Sequence, residues 1–269
     1  MATKTELIQR WDSFLAKIEA RYLESLQQAE EACMAQLVET DYDYYTVFRS
    51  WQGMKAQISN IVKKIDKTWD DNVRPQMEAI SDHNDYFYEE EGRKVSRLSD
   101  NLHYKMQRFQ THLEGKLSQK FYDHAIAIAN QNFNCSQCGS TLTIKKDLFR
   151  SQYVTCTACN SVNIFEPETK FIQIGWDIID NIIALKCLPL HDKMDVVLDE
   201  MRKLRKEEHT NEIWNKYKTV YFNYWKTFFK ERIKFKSDAQ ERYEEDIERK
   251  KKEFEEYENS YRYNKYGIK

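Results

Sequence analysis

Two pairs of cysteines carry the clearest chemistry in this sequence. Cys135 and Cys138 lie in the stretch Asn134-Cys-Ser-Gln-Cys-Gly-Ser140, and Cys156 and Cys159 lie in Thr155-Cys-Thr-Ala-Cys-Asn160. Each pair is a C-x2-C, and seventeen residues separate the pairs, a spacing expected of a zinc site. A tight turn between paired cysteines presents both sulfurs to one point, so two such knuckles bring four thiolates around one ion. Four sulfurs in tetrahedral array suit Zn2+, with iron the poorer alternative. Each knuckle needs a residue tolerant of positive φ after its second cysteine. Gly139 and Asn160, the two most tolerant types, stand there.

Between and after the knuckles, Thr141–Ile144, Gln152–Thr155 and Ser161–Phe165 alternate like short strands. With the cysteine pattern, residues 133–166 resemble the C4 zinc ribbon family, over about an eighth of the chain. The resemblance implies one structural zinc held by Cys135, Cys138, Cys156 and Cys159. Four protein ligands leave no open position for a substrate water, so a catalytic zinc is not expected. Other cysteine chemistry fits less well. A thioredoxin-like pair calls for one C-x-x-C opening a helix, haem attachment requires a following His, and disulfides require export.

Ribbons of this kind are often found in nucleic-acid machinery, so local charge matters. Residues 133–168 set Lys145, Lys146 and Arg150 against Asp147, Glu166 and Glu168. The net is zero, whereas an autonomous nucleic-acid-binding module shows a basic face. A protein-contacting or stabilising module is the simpler reading, with Lys145, Lys146 and Arg150 as a small patch for nucleic acid or another partner.

What positions the knuckles is mostly helix. Leu7, Trp11, Phe14, Leu15, Ile18, Tyr22, Leu26, Ala29, Cys33 and Leu37 step by three or four along one face. Asp41–Tyr45 interrupts the pattern, and Phe48, Trp51, Met54, Ile58, Ile61, Ile65 and Trp69 form a second, nearly heptad stripe. Asp71-Asn72 is expected to cap a third helix with Pro75 in its first turn, and a break is expected between Asp82 and Gly92. The longest stripe, Val95 to Ile128 within residues 93–131, leads into the first knuckle. Beyond the second, Phe171–Leu190 reads as a buried helix ended by Pro189. A further helix starts near Met194, with a kink or break near His209 before residues 212–236. Ser237–Lys269 reads as a charged helix with a coiled-coil seam.

Composition agrees with long helices. The 269 residues include only 6 Gly and 3 Pro, while 32% are charged and 14% aromatic. The net charge of -2 excludes a general polyanion binder, but charge is divided along the chain. Residues 1–100 hold 13 basic and 19 acidic side chains, whereas residues 201–236 hold 11 basic and 4 acidic. Such segments can complement one another within or between molecules. The basic segment interleaves Lys216, Lys218 and Lys226 with Trp214, Tyr217, Trp225 and Phe228, a composition that can stack bases or lie on an anionic membrane. Aromatics on more than one face favour burial instead.

Phosphate-binding loops, a dinucleotide fingerprint, a nucleophile elbow and paired metal-ligating histidines do not occur in the sequence. No catalytic residue is therefore assigned and no small-molecule substrate is evident. The expectation is a mainly α protein: an elongated bundle of long, partly coiled-coil helices with an inserted β-rich ribbon. Its regions are 1–131, a helical region; 132–169, the ribbon; and 170–269, helices that pack with the first region. The expected role is a non-enzymatic zinc-binding scaffold or assembly subunit with a protein partner or self-association. The alternative is a nucleic-acid-associated factor using the ribbon and the helix 212–236. With no signal peptide or transmembrane stretch evident, and with unpaired cysteines, a cytoplasmic location is expected.

Overall fold

The computed structural model is 81% helical, with one small antiparallel sheet, and so has the mainly α class read from the sequence. It describes residues 3–81, 87–144, 148–167, 169–204 and 209–264. Contacts divide the chain into two compact units, Met1–Leu113 and Glu114–Lys269.

The first unit begins with α1, Lys4–Glu39. A reciprocal cap starts it: the Glu6 N–H donates to the Thr3 hydroxyl and the Thr3 N–H donates to the Glu6 carboxylate. Its buried side chains, Leu7, Trp11, Leu15, Tyr22, Leu26, Ala29, Cys33 and Leu37, follow the expected stripe. Asp41 and Tyr42 then take positive φ of 50° and 59°, which reverses the chain. The Asp43 carboxylate receives the Thr46 N–H to start α2, Tyr44–Thr68. A hydrogen bond from the Thr46 hydroxyl, together with that from its N–H, holds the Asp43 carboxyl below its usual pKa. Val47 and Val62 are buried on α2 alongside Trp51, Ile58 and Ile65, a fuller face than the heptad reading predicts.

At the end of α2 the winding loosens instead of restarting. Trp69–Val73 forms a π turn in which the Arg74 N–H reaches the Trp69 carbonyl, and α3, Arg74–Ile80, follows without a side-chain cap. Asp71-Asn72 therefore does not cap a new helix. Pro75 has no N–H to offer the preceding turn, and the wider ring accommodates it while the chain keeps a helical course. The expected break spans residues of which 82–86 lie outside the described ones. Helix resumes by Phe87, earlier than the apolar stripe indicates, as α4, Phe87–Asn132.

Within the first unit α4 runs parallel to α1. Trp11 Nε1 donates to the Glu91 carbonyl and the Tyr22 hydroxyl to the Leu102 carbonyl, each pair eighty positions apart. Burial of Tyr22 pushes its pKa up to about 12. Trp11 also lies 5.5 Å from Trp69, ring to ring, so the start of α1 meets the end of α2.

The second unit contains the remainder of α4, the strands β1 (Gln152–Thr155) and β2 (Val162–Phe165), α5 (Thr169–Lys203), α6 (Asn211–Phe235), a 3-10 turn at Ser237–Gln240 and α7 (Tyr243–Asn264). Gly115 of α4 faces α5 so closely that a Cβ there would stand 2.4 Å from Leu185 Cβ and 2.9 Å from the Asn181 carbonyl oxygen. The absence of a side chain at Gly115 is what lets the two helices touch.

Pro189 does not end a helix; it lies inside α5. Pro in a helix interior costs about 3 kcal/mol. Ile178, Ile179, Ile182, Ile183 and Leu188 before it, and Met194, Val197 and Met201 after it, bury a continuous face. Each contributes roughly 1.5–3 kcal/mol by burial, enough to carry the helix through the proline.

The aromatic helix is covered on two sides. Met194, Val197 and Met201 of α5 form one core with Trp214 and Tyr217 of α6 and Phe254 of α7. Trp214 meets Tyr257 and Tyr261 at 6.2 and 5.6 Å between rings. Lys250 Nζ stands 3.8 Å over the Trp225 ring. No described helix is long and apolar enough to cross a membrane.

Candidate metal centre

The two knuckles have the same backbone geometry. In the first, the Cys135 N–H donates to the Ser140 carbonyl at 2.8 Å and the Gly139 N–H donates to the Cys135 carbonyl at 2.9 Å. In the second, the Cys156 N–H and the Asn160 N–H make the same two bonds, to Ser161 and Cys156, at 2.8 and 2.9 Å. Gly139 and Asn160 take φ of 73° and 61°, the left-handed turn their positions call for.

This pairing brings the four sulfurs of Cys135, Cys138, Cys156 and Cys159 within 4.8 Å of one another. Cys135 and Cys159 are 3.6 Å apart, as are Cys138 and Cys156. A tetrahedral zinc with bonds of about 2.3 Å sets its sulfurs about 3.8 Å apart, so the donor set fits the ion. Cys135 and Cys156 are buried, Cys159 is half-buried and Cys138 faces solvent.

Hydrogen bonds favour charge on two of the sulfurs, those of Cys135 and Cys138. The Ser161 hydroxyl lies 3.0 Å from the Cys135 sulfur and 3.1 Å from that of Cys159, and the Ser140 hydroxyl lies 3.2 Å from that of Cys138. Chiefly through Ser161, the Cys135 thiol is brought down to about 5, and chiefly through Ser140, that of Cys138 is also lowered. Backbone bonds from Cys159 and Ala158 likewise favour a thiolate at Cys156, but burial and the neighbouring sulfurs of Cys138 and Cys159 prevail and raise it to about 11. Four adjacent thiolates would need a cation among them, a charge that a divalent ion would supply.

The strands are fewer than the spacing predicts. β1 and β2 pair antiparallel, with Tyr153 opposite Ile164 and Thr155 opposite Val162. Thr141–Ile144 contributes a single bridge, Thr141 to Asn134, and no strand. Its end is held by a helix side chain: the Ile144 N–H donates to Asn130 Oδ1 at 2.6 Å, and Asn130 Nδ2 donates back to the Ile144 carbonyl at 3.2 Å. Leu148 and Phe149 are buried beyond it, with the Phe149 ring 5.9 Å from that of Tyr122 on α4. Phe133 packs edge-on against Phe165.

In comparisons with known proteins, no family model, curated sequence or solved structure matched the chain. The tetracysteine cluster is therefore read from its own geometry.

Lys145 and Lys146 lie outside the described residues. Arg150 is held by the 3-10 turn, with Nη2 donating to the Ser237 hydroxyl at 2.8 Å and Nη1 3.5 Å from an Asp238 carboxylate oxygen. On α6, Lys216 pairs with Glu200 of α5. Lys218 and Lys226 are exposed and share a shallow surface with Asn215, Thr219, Phe222 and Asn223. On the same helix Trp214, Tyr217 and Phe228 are buried.

Sequence reading overlooked Ser140, Ser161 and Asn163. The signal for the two serines is their equivalent place, two residues after the last cysteine of each knuckle. Asn163 gives one only as a polar residue on the inward face of a strand.

Proposed function

We propose that this chain is a non-enzymatic zinc-binding scaffold or assembly subunit, and that the outer face of its ribbon is a protein contact surface. One observation carries the reading. Tyr153, Val162 and Ile164 stand on the same side of the β1–β2 hairpin and remain 77%, 61% and 55% exposed. Large apolar side chains gathered on one small face mark an interaction site. On the other side Asn163 and Phe165 are buried against the metal knuckles and Phe133. The zinc then works as a structural ion that stiffens the hairpin from behind. Cys135, Cys138, Cys156 and Cys159 fill its four positions, and binding energy becomes folding energy of the ribbon.

The test compares the wild-type chain with Tyr153→Ser/Ile164→Ser, each tagged and recovered from its native cell, with the associated proteins quantified. Loss of a defined set of partners from the variant, at equal zinc content, supports the reading. Identical partner sets, or a wild-type chain recovered as a compact monomer with no partner, contradict it.

A second reading, association with nucleic acid, is favoured by the exposed Lys218 and Lys226 on the outward face of α6 beside Asn215 and Asn223. It predicts binding to DNA or RNA that falls steeply with salt and weakens when Lys216, Lys218 and Lys226 are neutralised. No binding at low salt eliminates it.

A further inference from the structure

Asn163 sits in the middle of β2 and is 6% exposed, one of few polar side chains so deeply enclosed among the described residues. Its neighbours Val162 and Ile164 point outward, so strand alternation directs Asn163 toward the knuckles. There its amide is used in both directions. Oδ1 accepts the Ser136 backbone N–H at 2.9 Å and the Ser136 hydroxyl at 3.1 Å. Nδ2 lies 3.6 Å from the Cys135 sulfur and 3.3 Å from the Ser161 carbonyl oxygen, as donor to both. One side chain thus holds the turn of the first knuckle, a sulfur of the metal site and the chain leaving the second knuckle.

We propose that Asn163 is a positioning residue of the metal centre: its carboxamide fixes the first knuckle onto β2 and donates an N–H···S bond to the Cys135 thiolate, which sets the zinc affinity. The two knuckles are otherwise alike, and the counterpart of Asn163 by position is Leu142, two residues after Ser140. Leu142 is apolar and packs against Cys135 and Cys156. One side of the cluster is therefore closed by hydrocarbon and the other by a donor. An amide N–H pointed at a thiolate stabilises its negative charge and restrains its orientation, and losing such an outer partner typically costs about 10–100-fold in metal affinity. Because Asn163 lies between Val162 and Ile164, the same contact joins the metal to the strand that displays the exposed face.

This inference rests on the zinc reading of the cysteines but not on any partner. Zinc bound at one per chain by the wild type establishes that reading separately. Asn163→Asp keeps an acceptor for the Ser136 N–H and loses the donor toward Cys135, whereas Asn163→Leu loses both. Zinc affinity is measured on the full chain by competition with a chromophoric chelator, and the cobalt-substituted protein is compared by its thiolate-to-metal absorption. Both variants are expected to bind zinc about 10–100-fold more weakly, with a shifted cobalt spectrum. Wild-type affinity and spectrum in Asn163→Asp overturn the proposal. A readout independent of any variant is hydrogen exchange of the Ser136 amide in the zinc-loaded wild type. Protection comparable to the β1–β2 amides is expected despite the exposure of that turn, and exchange at the rate of an open turn overturns it.

Discussion

Arg232 grips Asp180 at two points, Nε to Oδ1 at 2.9 Å and Nη2 to Oδ2 at 2.6 Å, and so ties α6 to α5. The same guanidinium stands 3.6 Å from the Asp246 carboxylate of α7 and lies over the rings of Phe228 and Phe229. Three helices of the second unit therefore meet at one cation. Burial is the largest influence on Asp180 and raises its carboxyl, while Arg232 opposes that rise.

Arg232→Met is expected to destabilise the chain by about 2 kcal/mol, read as a lowered urea midpoint. Removing one partner of a fully enclosed pair costs about 3–5 kcal/mol. Asp180 keeps 37% of its side-chain exposure and is partly screened by water, so the smaller figure applies. Arg232→Lys retains the charge but loses the two-point geometry and is expected to fall between.

Gly115→Ala is expected to cost about 1–3 kcal/mol, because its Cβ would overlap Leu185 and the α5 backbone. On an exposed helix the same change stabilises by about 1 kcal/mol, so the sign alone distinguishes close contact from open space. Gly53, on α2 with nothing within 4 Å, is the control where stabilisation is expected.

Alkaline titration followed by tyrosinate absorbance should show a protected class. Burial raises Tyr22, Tyr221 and Tyr224 to about 12. A group whose folded pKa lies above its unfolded value, about 10 for tyrosine, contributes stability that is full below the unfolded value and lost as pH rises through the folded one. The chain should therefore lose stability between about pH 10 and 12, with these tyrosines ionising cooperatively as it unfolds. Smooth titration of all tyrosines near pH 10 contradicts the burial of α6 against α5 and α7.

The two remaining cysteines should be inert. Cys33 lies on the buried stripe of α1 and Cys187 on that of α5, and burial is the largest cause pushing each thiol up to about 11. In the folded chain neither is expected to react with iodoacetamide at pH 8, and both should react in denaturant. Labelling of either in the native state contradicts its placement.

Local chemistry made the cysteines legible, since a C-x2-C followed by Gly139 or Asn160 specifies its own turn. The stripe from Leu7 to Leu37 was equally plain, because a periodicity of three and four needs no tertiary information. Pro189 and Asp71-Asn72 misled for a common reason: each is a local boundary signal, the one for a helix end and the other for a helix start, at a place where the chain stays helical. The buried face from Ile178 to Met201 carries α5 through its proline, and the π turn at Trp69–Val73 absorbs Pro75. Strand propensity at Thr141–Ile144 was overridden in turn by the Asn130 side chain, which takes up the Ile144 backbone groups. Asn163 was hidden because its role depends on the neighbouring knuckle 27 positions away, at Ser136.

The proposed function requires that four thiolates hold one zinc and that this zinc keeps the ribbon folded. Metal content of the purified chain, measured together with the number of thiols that become reactive when a strong chelator is added, tests it most directly. One zinc per chain, released with four newly reactive thiols at Cys135, Cys138, Cys156 and Cys159 and with loss of protection in β1 and β2, is the predicted result. A well-folded chain carrying less than one zinc, or one whose β1 and β2 amides stay protected after the metal is removed, would contradict it.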